Sequence, residues 1–184
     1  MSNKRSIDDI DVISIWPGRP YPESKVPSRI AYPSENGNKI SQIQWGFKVS
    51  PGLVSYSYTK LLMDCSILPD SLDHEALRLP KGKTAQEVCE DYLRELYQFL
   101  MRKLEKELSA EIFRRTPMEF CMTLPSIWPD QARDSMRAAA SAAGFGSQGG
   151  QSLQTITESE ASLIAALRPY SDHAALSPVM VSTL

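Results

Sequence analysis

An α/β domain built on a mixed sheet flanked by helices is the fold class this sequence predicts, and three observations predict it. Short β-rich pieces fill residues 10–55, a long amphipathic helix opens near residue 84, and beyond residue 117 strand and helix patterns alternate. With 184 residues, the chain has volume for one sizeable core.

The first strand candidate is residues 10–16, stopped by Pro17-Gly18. A second covers residues 26–32, where Val26, Ile30 and Tyr32 stand among prolines and suit an edge strand. Asn36-Gly37 is a strong hairpin signal and leads into a third candidate at residues 39–45, so a short meander is expected. Residues 58–64 suit a short helix. Thr84-Ala85-Gln86-Glu87 then forms a capping box, in which hydroxyl and carboxylate each satisfy a backbone amide of the first turn. Behind it Val88, Cys89, Tyr92, Leu93, Leu96, Leu100, Leu104 and Leu108 recur at steps of mostly three and four, one apolar stripe on a helix of about six or seven turns. A buried strand at residues 118–124 follows. A helix from Pro129 to Ala143 comes next, with an inner face of Ala132, Met136, Ala139, Ala140 and Ala143. The glycine-rich residues 144–150 are expected to be a flexible loop; they lack the lysine and the strand-to-helix setting of a phosphate loop. A strand at residues 153–157, a helix at residues 158–166 and a stretch without period close the chain.

Composition excludes several classes. Apolar residues make up 42% and charged residues 23%, which places the chain with globular domains. A formal charge of −2 gives no electrostatic reason for nucleic acid or an anionic membrane as partner. No apolar run approaches the roughly 18 residues of a membrane span, and the opening MSNKRSIDDI has no apolar stretch behind its basic residues, so no signal peptide is expected. Cys65, Cys89 and Cys121 are odd in number and widely spaced, as small buried residues of a reducing compartment would be. The expected location is cytoplasmic. No metal site is expected, because His74 and His173 stand in no ligand-like spacing with a cysteine; both read as solvated loop residues.

Specific signals come from MTLPSIWPDQARDSMRAAASAAGF followed by TITESEASLIAAL. This block resembles the seventy-kilodalton heat-shock chaperone family, in which a T-V-P-type turn leads into a Q-x-R-type, alanine-rich helix and an E-P-x-A-A-type turn opens the next. Weaker pieces in the same order are DVISIWPG, KVPSRIAY, Trp45-Gly46 and TKLLMD, and they look like a divergent fungal-type branch related to the atypical twelve-A group. The resemblance implies that residues 1–170 are a partial nucleotide-binding domain, the first, ribonuclease H-like lobe of an actin-like ATPase, with residues 171–184 an irregular tail. It implies that Lys60 lies near the transferred phosphate, where an ammonium would neutralise developing charge. It places Glu158 where the attacking water and the magnesium shell are positioned, and Pro125 and Arg133 where nucleotide state is relayed to a partner domain. ATP and Mg2+ are the cofactors of the full-length relative, and none is implied firmly for this chain. Read without the resemblance, Lys60 is a surface lysine, Glu158 complements a helix dipole, Arg133 forms an exposed pair with Asp130 or Asp134, and Pro125 ends a strand.

The departures bear on activity. Neither a G-I-D-x-G-T-T hairpin nor a D-x-G-G-G-T-x-D hairpin occurs in the sequence. Phosphoryl transfer depends on positioning and charge stabilisation, so hydrolysis by this chain alone is not expected, and Lys60 and Glu158 would be vestigial in a truncated form. The alternatives are a truncated chaperone-like ATPase, a short interaction module that binds a chaperone or co-chaperone, and an unrelated small α/β enzyme. An uncovered lobe surface would favour self-association.

Overall fold

The computed structural model describes residues 11–64 and 77–167, together with the backbone of residues 180–181. The described chain is α/β. Strand β1 (Arg29–Ala31) pairs antiparallel with β2 (Gln44–Trp45) on one side and β3 (Tyr56–Ser57) on the other. Strand β4 (Met118–Leu124) lies between β5 (Gln151–Thr157) and β6 (Met180–Val181), parallel to both. Among the described residues the expected single mixed sheet is therefore two sheets of three strands, one antiparallel and one parallel.

Proline and a buried asparagine explain much of that difference. Residues 11–16 form no strand: the Glu23 amide donates to the Ser14 carbonyl at 2.8 Å, and the Trp16 indole N–H donates to the Glu23 carbonyl at 2.9 Å. The segment thus folds back across a proline-rich turn instead of joining a ladder. The strand expected at residues 26–32 shortens to β1, because the Arg29 amide is taken by the Pro27 carbonyl at 2.8 Å. Asn36-Gly37 makes no hairpin turn. Asn36 ends a short helix, α1 (Pro33–Asn36), at φ −119°, whereas the tight hairpin turn needs positive φ at both central residues. Its buried amide instead donates to the carbonyls of Tyr32 and Val54 and accepts the Val54 amide at 2.8 Å. A 3-10 turn, Gly37–Lys39, follows, so the strand expected at residues 39–45 reduces to β2.

Helix α2 (Ala85–Leu108) starts on the predicted capping box, with the Glu87 amide donating to Thr84 Oγ1 at 3.2 Å and the Thr84 amide donating to Glu87 Oε2 at 2.7 Å. It buries Val88, Cys89, Tyr92, Leu93, Leu96, Tyr97 and Leu100 and joins the two sheets. Toward the antiparallel sheet, Tyr92 and Phe99 meet the Trp45 ring edge-on at 5.9 Å, and Asp91 accepts the Tyr32 hydroxyl at 2.9 Å and the Lys83 ammonium at 2.7 Å. Toward the parallel sheet, Tyr97 packs edge-on against Phe120 and Phe145. Leu104 and Leu108 are only half-buried, so the stripe outruns the core, and a short helix, α3 (Ala110–Arg115), continues past Ser109.

Helix α4 (Asp130–Ala143) crosses from β4 to β5 and buries Ala132, Met136, Ala139, Ala140 and Ala143 in the main core, where it packs on α2, the face its sequence predicts. Small side chains let the two helices approach closely. The glycine-rich stretch behind α4 is anchored rather than free. Phe145 is buried, its amide bonds the Ala140 carbonyl at 3.1 Å, and Gly144 turns the chain at φ 123°. A Cβ on Gly144 would stand 2.7 Å from the Tyr97 ring, so space as well as backbone angle requires glycine here. Helix α5 (Glu158–Leu167) ends this region. Beyond it the sequence shows no period, yet Met180–Val181 pairs with β4; the rest of the tail, with Cys65, His74 and His173, lies outside the described residues. Cys89 is buried and Cys121 half-buried, and both are free thiols.

Candidate functional site at the carboxyl ends of the parallel strands

β4 and β5 end in register, with Leu124 opposite Thr157. Pro125 and Glu158 therefore leave the sheet side by side at its carboxyl edge, where open α/β sheets bind ligands. Glu158 is also the first residue of α5. The cap of that helix is made by its neighbour: Glu160 Oε2 accepts the Thr157 amide at 2.7 Å, and the Glu160 amide donates to Thr157 Oγ1 at 3.1 Å. This is a second capping box, and these bonds to its charged form hold the Glu160 carboxyl below the usual range. Glu158 is left to face elsewhere. Its Oε1 accepts a hydrogen bond from Lys60 Nζ at 3.0 Å.

Lys60 comes from a 3-10 turn, Thr59–Met63, where the sequence predicts a short helix over residues 58–64. The chain enters the turn through Tyr58 in the left-handed region, φ 59° and ψ 17°. Such backbone costs free energy in a non-glycine residue and gathers where side chains must be aimed. Thr59 is buried beneath, its hydroxyl oxygen accepting the Cys89 thiol at 3.5 Å. Burial pushes that thiol up to about 11, against the opposing pull of the Thr59 bond and the Lys60 charge, so Cys89 is inert at neutral pH. Lys60 Nζ also stands 5.8 Å from the centre of the Trp128 ring.

Residues 125–129 tie the remaining groups together. The Trp128 amide donates to the Pro125 carbonyl at 3.3 Å, which closes a turn immediately after β4. Arg133 Nη2 donates to the Ser126 carbonyl at 2.9 Å, while Arg133 Nη1 is 3.8 Å from Asp130 and its Nε is buried with no hydrogen-bond partner among the described residues. The Ser126 and Ser159 hydroxyls are 2.7 Å apart, which links the turn to the first turn of α5. All four residues singled out from sequence, Lys60, Pro125, Arg133 and Glu158, thus border one end of the parallel sheet. Sequence reading passed over Trp128, Ser126, Ser159 and Glu160. The Thr157-Glu158-Ser159-Glu160 spacing was a legible cap, and a tryptophan set just before Pro129 was a legible anchor.

The Lys60 and Glu158 side chains are 23% and 42% exposed, so solvent screens their attraction and the pair stabilises the fold by roughly 0–1 kcal/mol. An ammonium and a carboxylate held together at a sheet edge can neutralise an anion and accept a proton from water. Among the described residues no three histidine, cysteine, aspartate or glutamate side chains converge on a point, so these residues make no magnesium cage of their own. No described helix is long and apolar enough to cross a membrane.

What fold and geometry define together is an α/β protein with a charged pair and a proline–tryptophan turn at the carboxyl ends of its parallel strands. No protein-family model, curated protein or solved structure matches the chain.

Proposed function

We propose that this chain is part of the first lobe of a heat-shock-chaperone-like, actin-like ATPase, whose hydrolysis of ATP requires phosphate loops that these 184 residues do not contain. The observation that supports the reading is the Lys60–Glu158 contact. Two residues 98 positions apart, which the resemblance alone places near the transferred phosphate (Lys60) and at the attacking water and magnesium shell (Glu158), lie 3.0 Å apart at the carboxyl ends of parallel strands. A cytoplasmic location and a chaperone or co-chaperone partner go with this reading. Without backbone amides to grip a triphosphate, the pair has no fixed phosphate to act on, so weak nucleotide binding without turnover is expected. The test is thermal unfolding of the purified chain with and without Mg-ADP and Mg-ATP, since a ligand that binds only the folded chain raises the melting temperature. A small rise for the natural sequence that is reduced in Lys60→Met and Glu158→Gln supports the proposal. No rise at any nucleotide concentration, or ATP turnover at a chaperone-like pace by the chain alone, overturns it.

A second reading rests on α5. Ala161 is its one buried residue, while Leu163, Ile164 and Leu167 are exposed. An apolar helix face open to water suits an interaction surface, and a second copy of this chain is the occupant proposed. Sedimentation of the natural chain against Leu163→Lys/Leu167→Lys tests it: a dimer lost in the variant supports the reading, and a monomer throughout refutes it.

A further inference from the structure

We propose that Trp128 is the positioning residue of the Lys60–Glu158 pair, its indole face holding the Lys60 ammonium at the carboxyl end of the parallel sheet. At 5.8 Å from the ring centre, Lys60 Nζ is inside the range of about 6 Å over which an indole face attracts a cation. Glu158 and Trp128 differ in how firmly they are held. Glu158 is 42% exposed, on the first turn of a helix that buries little, so its carboxylate is screened and has rotamer freedom. Trp128 is 5% exposed and belongs to the main core, so packing fixes the plane of its ring.

Backbone constraints reinforce that packing. The Trp128 amide is tied to the Pro125 carbonyl, and Pro129 behind it restricts Trp128 to extended backbone. The Pro129 carbonyl in turn accepts the amides of Ala132 and Arg133 as α4 begins. Strand, turn and helix therefore set the ring in place independently of Lys60. A lysine drawn onto a fixed ring keeps its ammonium within reach of Glu158 while the carboxylate moves. The consequence for a phosphate ligand rests on the ATPase reading; the geometry does not.

The experiment is carbon–proton NMR of the full chain with labelled lysine, the Lys60 signals being those lost in Lys60→Arg. Protons above an indole face are shifted upfield. The Lys60 ε-methylene is expected upfield of the other lysines in the natural chain and in Glu158→Gln. It is expected among the other lysines in Trp128→Leu, and at an intermediate position in Trp128→Phe, which preserves a buried ring. Loss of the upfield position in Glu158→Gln, or its retention unchanged in Trp128→Phe, overturns the proposal, and the second comparison holds even where Trp128→Leu does not fold. If Lys60 behaves as expected but Mg-ADP leaves the melting temperature of the natural chain unchanged, the ATPase reading fails and the positioning role stands. If Mg-ADP stabilises the chain but Lys60 is not upfield, the positioning role fails alone.

Discussion

At the start of α5 the amide and hydroxyl of Thr157 both bond Glu160, which frees Glu158, two residues before it, to meet Lys60. The start of α2 repeats the arrangement with Thr84 and Glu87. Because α2 lies at the centre of the core, Thr84→Ala should lower global stability by about 1 kcal/mol in urea denaturation. Thr157→Ala should act locally, speeding amide hydrogen exchange in α5 with little change in the global midpoint. Acid titration gives a linked expectation. Hydrogen bonds from Thr84 and Thr157 hold the Glu87 and Glu160 carboxyls below their ordinary value. The unfolded chain therefore takes up these protons first, near pH of about 4.3. Stability from both groups should be fully present above that pH and lost as pH falls through the lower folded values. Urea midpoints measured in pH steps should fall less steeply on acidification in Thr84→Ala, and an unchanged acid slope would count against the Thr84–Glu87 cap. The Glu160 contribution is read from the pH dependence of amide exchange in α5. The phenols lie at the other end of the scale: burial raises Tyr92 to about 12, and burial together with the Asp91 charge pushes Tyr32 higher.

Among the elements, α2, α4 and α5 were legible, whereas α1, α3 and the early strands were not. The apolar stripe of α2 and the alanine face of α4 are local patterns with their own periods, and the buried residues follow them. Ala139 and Ala140 are 0% exposed where α4 approaches α2, so Ala139→Leu should cost roughly 1–3 kcal/mol through overpacking. Ala138 on the open face of the same turn is the control, and Ala138→Leu should stay within about 0.5 kcal/mol of neutral. Equal costs at the two positions would refute the close approach. The strands expected before residue 46 shrank or vanished: residues 11–16 form none, while β1, central in its sheet, keeps three residues and β2 keeps two. Asn36-Gly37, read as a hairpin, is claimed by bonds from Asn36 to Tyr32 and Val54, the second of which is 18 positions away. A local turn preference yields to a buried amide, which costs about 1–3 kcal/mol if left without its partners.

For the whole molecule, α2 is the common wall between an antiparallel and a parallel sheet. That arrangement predicts one cooperative unit. Leu96, 1% exposed, sits on this wall, and Leu96→Ala should cost about 2–5 kcal/mol while leaving a single unfolding transition. Tryptophan fluorescence in a Trp128→Phe background, which leaves Trp16 and Trp45 beside Phe99 as the reporters, should coincide with far-ultraviolet circular dichroism through that transition. Separate transitions by the two probes would show that the sheets unfold independently.

Helix limits, capping pairs and the alternation of strand and helix beyond residue 117 could be read directly from the chain, because each arises between residues at most a few positions apart. The division into two sheets, the pairing of Met180–Val181 with β4, and the meeting of Lys60, Trp128 and Glu158 could not. Those outcomes depend on which distant segments bury surface against one another, and no local period records that free energy. Only tertiary packing set the Lys60 ammonium within 3.0 Å of the Glu158 carboxylate, 98 positions along the chain.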